Sequence, residues 1–136
     1  MAKPRVPRGI RNNNPLNIRH SSASWFGACD FQVDPDFVQF KSMLWGLRAA
    51  MVVIRNYRRL HGLQTVSQII NRWAPSAEND TGSYLHVVCQ VSGLRPETVI
   101  DGSDRVRLVK LVWAMAYVEC GQFIDYDLVN AAYDYY

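Results

Sequence analysis

The residue with the most chemistry to offer in this chain is Glu119, which closes the otherwise apolar run Leu108-Val109-Lys110-Leu111-Val112-Trp113-Ala114-Met115-Ala116-Tyr117-Val118. On a helix, the row that carries Glu119 also carries Met115, Val112 and Leu108, a face expected to be buried. The last turn of a helix bears partial negative charge and apolar neighbours disfavour an ionised carboxyl, so both effects push the pKa of such an acid upward. A carboxylic acid kept protonated near neutral pH is what glycosidic bond cleavage needs, because the departing sugar oxygen must take up a proton. The competing reading is that Glu119 is the last solvated residue before a glycine C-cap at Gly121.

Any such acid needs elements to hold it. Ser42 is placed to open a helix through His61 that Gly62 ends. Thr65 with Gln68 forms a capping box for a short helix that Pro75 stops after Trp73. Asn79 or Asp80 opens the next, running to Gly93. Ser103 or Asp104 opens the helix that carries Glu119, and Asp125 or Asp127 a last one. The first forty residues read differently: Asn12-Asn13-Asn14-Pro15 is a turn, Leu16 and Ile18 alternate with Asn17 and Arg19, and Phe37, Val38 and Phe40 follow the Asp34-Pro35-Asp36 turn. The expectation is an α+β, mainly α chain, with a small N-terminal β lobe followed by about five helices.

A chain of 136 residues, 49% hydrophobic and 20% charged, suits one globular domain. No apolar run approaches the roughly 20 residues of a membrane span. Residues 1–9 are basic and proline-rich, read as a flexible arm with no apolar core of a signal peptide, so the protein is expected to be made in the cytoplasm. Cys29, Cys89 and Cys120 have no paired metal-ligand spacing, and His20, His61 and His86 complete no zinc pattern, so free thiols and no metal or other cofactor are expected. The net charge of +3, with Lys3, Arg5, Arg8, Arg11 and Arg19 all preceding the first acid, Asp30, suggests an anionic partner.

Arg8-Gly9-Ile10-Arg11-Asn12-Asn13-Asn14-Pro15, with Arg72-Trp73-Ala74-Pro75 and Glu78-Asn79-Asp80-Thr81, resembles a group of small phage-type and mobile-element proteins over most of the chain. The order of Asn13 to Arg19, Trp25-Phe26-Gly27, Phe37 to Phe40, Ser42 to Tyr57 and Trp73 to Tyr84 resembles the flagellar-type bacterial glucosaminidases, whose fold is lysozyme-like. In that family the catalytic glutamate lies upstream of the Asn-rich strand. Here Ala116 to Gly121 is similar in character but downstream, which implies a circular permutation.

The resemblance implies Glu119 as general acid. Glu78 stands with it as the second catalytic candidate, alongside Asp80, Asp30, Asp34 and Asp36, although an attacking N-acetyl or 6-hydroxyl group of the substrate would remove the need for a base. Trp25, Trp73 and Tyr84 are candidates for stacking on sugar rings, whereas Trp45 and Trp113 read as core. Asn13, Asn14 and Asn17 are candidates for N-acetyl contacts or for the turn alone. Arg19 and Arg72 are candidates for holding carboxylates, or are solvated. The leading expectation is a peptidoglycan glycan-strand hydrolase of glucosaminidase, muramidase or lytic transglycosylase type, acting on the wall after release or within a virion. The alternative is a structural protein of a phage virion or conjugation apparatus that makes contact with virion proteins and lacks catalysis. A nucleic-acid-binding module built on the basic N-terminal arm with Arg55, Arg58 and Arg59 is the least supported, since no aromatic platform alternates with these arginines and acids are frequent elsewhere.

Overall fold

Helix boundaries follow the local signals closely in the computed structural model, which describes residues 6–136; Lys3 and Arg5 of the basic arm lie outside the described residues. α1 (Arg8–Arg11) is a single turn, so Arg8 and Gly9, read as part of a flexible arm, are helical. α2 (Met43–His61) ends at the left-handed Gly62, while Ser42 precedes it without a side-chain cap. Thr65 and Gln68 form the reciprocal capping box of α3 (Val66–Trp73). Asp80, Asp104 and Asp125 each accept a backbone N–H in the first turn of α4 (Thr81–Ser92), α5 (Arg105–Cys120) and α6 (Tyr126–Ala132). A 3₁₀ turn, Tyr133–Tyr135, follows.

The centre of the molecule is α5. Leu108, Val109, Leu111, Val112, Ala114, Met115 and Ala116 are all fully buried, which a helix with a single apolar stripe would not achieve. They are covered by α4, α6, α2 and α1. Fully burying each of the large aliphatic side chains contributes about 1.5–3 kcal/mol relative to exposure. Leu16, Ile18, Val38 and Phe40 join this core from the N-terminal segment.

That segment is not a β lobe, and the expected lysozyme-like α+β arrangement is corrected on this point. Among the described residues there is no strand, only the isolated antiparallel bridges Arg19 with Phe37, Ala28 with Phe40 and Thr65 with Val99. The apolar alternation was real, since Leu16, Ile18, Val38 and Phe40 do point inward. What prevents a ladder is side-chain competition for the backbone. Gln39 Oε1 accepts from the amides of Val33 and Asp34, Gln32 Oε1 from Gln39, and Gln32 Nε2 donates to the carbonyls of Cys29 and Gln39. Asp34 accepts from the amides of Asp36 and Phe37. Amide and carboxylate side chains thus satisfy the groups that strand neighbours would otherwise have paired.

The Asn-rich turn is pressed against α2 at Gly46. A Cβ there would lie 2.0 Å from the Asn13 carbonyl oxygen and 3.2 Å from Asn14 Cα, both rigid backbone atoms. Gly46→Ala is therefore expected to destabilise the fold by about 1–3 kcal/mol, the usual cost of overpacking, read as a lowered Tm in thermal denaturation.

Candidate active site

The Asn-rich turn meets the C-terminal end of α5, where Cys120 Sγ reaches the Pro15 carbonyl and Asn17 reaches Glu119. Asn13 and Asn17 both adopt left-handed backbone conformations, with φ of 52° and 53°, which asparagine tolerates better than most residues. Asn12 Nδ2 donates to Asp34 Oδ2 at 2.9 Å and Asn13 Nδ2 to the Phe40 carbonyl at 3.0 Å. Asn14 is fully buried and spends its amide on three backbone partners: it donates to the carbonyls of Ile18 (3.0 Å) and Val38 (2.8 Å) and accepts from Ile18 N–H (3.0 Å). Asn14 is thus committed to the turn with both donors used, and Asn13 spends one of its two on the turn; neither lines the cavities beside Glu119.

Asn17 is different. Its Nδ2 donates to Glu119 Oε1 at 3.0 Å across a sequence separation of 102 residues. The backbone of α1 holds it from behind, since a Cβ on Gly9 would meet the Asn14 carbonyl oxygen at 2.9 Å, Asn17 Oδ1 at 3.1 Å and Cys120 Sγ at 3.3 Å. Glu119 itself is partly buried, and burial raises its pKa above the ordinary glutamate range, with the Asn17 amide and the Tyr84 hydroxyl partly opposing the shift.

Tyr84 does not serve as a sugar platform, because its side chain is buried. Its hydroxyl lies beside Glu119 without a well-formed hydrogen bond. Burial, and then the charge of Glu119, hold its pKa well above the ordinary tyrosine value, so it remains a proton donor beneath the acid. Cys120 is no nucleophile: burial and Glu119 push its thiol up to about 11, and Sγ donates to the Pro15 carbonyl at 3.2 Å.

Glu119 opens into a cavity of about 230 Å³ that also takes in Asn17, Arg19, Trp73, Glu78 and Asn79. A neighbouring cavity of about 220 Å³ shares Asn17, Arg19 and Trp73 and adds Tyr57 and Val53 from α2. The two together fall within the roughly 300–1,000 Å³ of small-molecule sites. Of the candidates, Glu119, Glu78, Asn17, Arg19 and Trp73 thus share one groove, while Arg72 is exposed with its guanidinium 5.8 Å from the Tyr57 ring centroid. Trp25 lies apart, in a cavity of about 240 Å³ with His20, Cys29 and Val38.

The other acids are occupied or elsewhere. Asp34 is held by the Arg8 guanidinium through Nε at 2.7 Å, and Arg8 drives its pKa far below the carboxylate range; Asp36 takes a further Arg8 bond at 2.9 Å. Asp80 caps α4 through Ser83, whose amide and hydroxyl bonds lower its pKa. Asp30 is exposed and lines neither cavity of the groove. Glu78 sits on a turn whose amides at Glu78 and Asn79 both donate to the Pro75 carbonyl. Sequence reasoning missed Tyr57, Asn79 and Phe37 as groove residues. Tyr57 shares a helix face with core residues, and periodicity cannot separate a groove wall from a core wall.

Loss of the Asn17 amide removes a hydrogen bond to the ionised form of Glu119, so Asn17→Ala is expected to raise the Glu119 pKa further. The measurement is a carboxyl-carbon NMR titration, in which the Glu119 midpoint moves to higher pH.

No family model matches the chain. Protein P5 of Pseudoalteromonas phage PM2 is 43% identical to it over 90 residues, which cover 64% of this chain and 56% of the relative. The chain spans little more than half the length of that curated relative. It therefore has a bacteriophage homologue, in line with the phage-type resemblance of its N-terminal motif; the name of that relative carries no activity.

Proposed function

We propose, from this phage kinship and the groove at the end of α5, that the protein cleaves peptidoglycan glycan strands with Glu119 as general acid. The observation that carries the reading is a partly buried carboxyl of raised pKa, hydrogen-bonded by Asn17, opening into a groove with a second, exposed carboxylate, Glu78. The protonated Glu119 transfers its proton to the glycosidic oxygen as the C–O bond breaks. The resulting carboxylate is then held by the Asn17 amide, with the Tyr84 hydroxyl beside it. Glu78 is the group in reach of the same cavity to take the proton of an attacking water, or of the sugar's own 6-hydroxyl. Trp73 offers an apolar ring face, and Arg19 a guanidinium for the lactyl or peptide carboxylates of the wall. The order of motifs resembling glucosaminidases supports the same chemistry, without requiring a β lobe. On this reading the protein acts on the wall after release or as part of a virion.

The test is incubation of the purified protein with sacculi, with turbidity and the masses of the released muropeptides as readouts. Hydrolysis products or anhydro-sugar products identify the attacking group. A phage homologue equally suits a virion protein that uses the groove for contact alone, and the absence of release from sacculi of several wall types would favour that second reading.

A further inference from the structure

A cavity of about 640 Å³, well above the volume of the Glu119 groove, shares no residue with it. One wall is α2, where Arg55, Arg58 and Arg59 fall at positions three and four apart and so on one face. The floor is apolar, from Ile54, Ile100 and Leu108, and Tyr136 closes one side. Three guanidinium groups face one acid, Asp101, whose carboxylate pairs with Arg58 at 3.2 Å. Arg55 lies over the Tyr136 ring at 5.1 Å, and its Nε is buried with no hydrogen-bond partner. Arg59 is exposed and makes no ion pair among the described residues.

Arg58 is tied into the fold by Asp101 and the Ile100 carbonyl, and Arg55 by the Tyr136 ring, whereas Arg59 has no such tie among the described residues. Arg55 likewise makes no ion pair among the described residues, so its charge is left for the cavity. Like charge continues along the same face of α2: burial, and then the charge of Arg55, lower the pKa of Arg48, two turns earlier. The side chains lining the cavity carry an excess of two positive charges, three Arg against one Asp, which matches a phosphate monoester near neutral pH, with about −1.5 to −2, better than a single carboxylate. Guanidinium forks also fit phosphate oxygens in pairs. The apolar floor and the Tyr136 ring suit a ligand body that is aromatic or aliphatic, not a bare ion.

We propose that this cavity binds a phosphate monoester carried on an apolar or aromatic body, held by Arg55 and Arg59 with Arg58 fixed by Asp101. The site is independent of the Glu119 groove, so its failure and that of the hydrolase reading are separable. The experiment follows the arginine Nε–H resonances of labelled protein by NMR during titration with phenyl phosphate, inorganic phosphate and benzyl alcohol. The expected result is a saturable shift of the Arg55 Nε–H with phenyl phosphate, at least about tenfold tighter than with inorganic phosphate, and no saturation with benzyl alcohol. Arg59→Ala, at an exposed position, and Arg55→Gln should each weaken phenyl phosphate by about tenfold or more, while Glu119→Gln leaves it unchanged. Capture on phosphatidylcholine vesicles containing phosphatidic acid, lost in Arg59→Ala, assigns the ester to a lipid headgroup; phenyl phosphate binding without capture assigns it to a soluble ester. Absence of a saturable shift, equal affinity for benzyl alcohol, or unchanged affinity in Arg59→Ala would overturn the proposal, as would binding of duplex oligonucleotide without binding of phenyl phosphate.

Discussion

Replacing Glu119 with glutamine is expected to lower the rate of glycan release from sacculi by at least about 10²–10⁴, the contribution of a positioned general acid, while leaving the protein folded. Glutamine keeps the oxygen that accepts from Asn17 Nδ2 but has no proton to give a departing sugar oxygen. The sign of the stability change separates loss of chemistry from loss of structure. Burial raises the folded-state pKa of Glu119 above that of the unfolded chain. The carboxyl therefore costs nothing below the ordinary glutamate range, where it is protonated in both states. As pH rises from that range toward the folded-state pKa, the unfolded chain releases its proton first and stability falls. At neutral pH the glutamine variant escapes this penalty, so its Tm should equal or exceed that of the wild type, and the gap should close in acid. A variant that is both inactive and markedly less stable at neutral pH would mean that Glu119 is a structural residue.

Asn14→Ala is expected to be the most damaging single change in the N-terminal segment, at roughly 2–4 kcal/mol. It strands the Val38 carbonyl and the Ile18 amide in a fully buried site, while the Ile18 carbonyl keeps the Val38 N–H at 3.0 Å, and each unsatisfied buried group costs about 1–3 kcal/mol, partly relieved by relaxation. Urea denaturation measures the loss. Asn17 leaves the turn three residues later and its amide N–H donates to the Asn14 carbonyl at 3.0 Å. The loss should therefore reach the site: sacculus digestion falls along with stability, in contrast to Glu119→Gln, where activity falls alone. An Asn14→Ala protein of unchanged stability would show that the turn is held by the packing of Leu16 and Phe40 and not by its amide.

The helices were legible in the residues because their signals are local. Thr65 and Gln68, Asp80, Asp104 and Asp125, and the glycines at 62, 93 and 121 satisfy or release backbone groups within one turn of themselves, and no distant contact is needed to read them. The apolar row from Leu108 to Glu119 was equally legible, and with it the expectation that the Glu119 carboxyl resists ionisation. The N-terminal segment was misread for a physical reason. Alternation of Leu16, Ile18, Val38 and Phe40 reports which side chains face inward, not which partner takes the backbone. Gln32, Gln39, Asp34 and the asparagines took that role from neighbouring strands.

By itself the sequence determined where the five longer helices start and stop, and that an acid ends the apolar helix from Asp104; each follows from spacing and capping chemistry within a few residues. Only the tertiary structure decided which polar groups meet that acid. The pairing of Asn17 with Glu119 spans 102 residues, the burial of Tyr84 turns an expected platform into a support, and the turn after Pro75 brings Glu78 to the same cavity. Such meetings depend on how separate elements pack, and packing is set by the summed shape of the whole core, which no local pattern encodes.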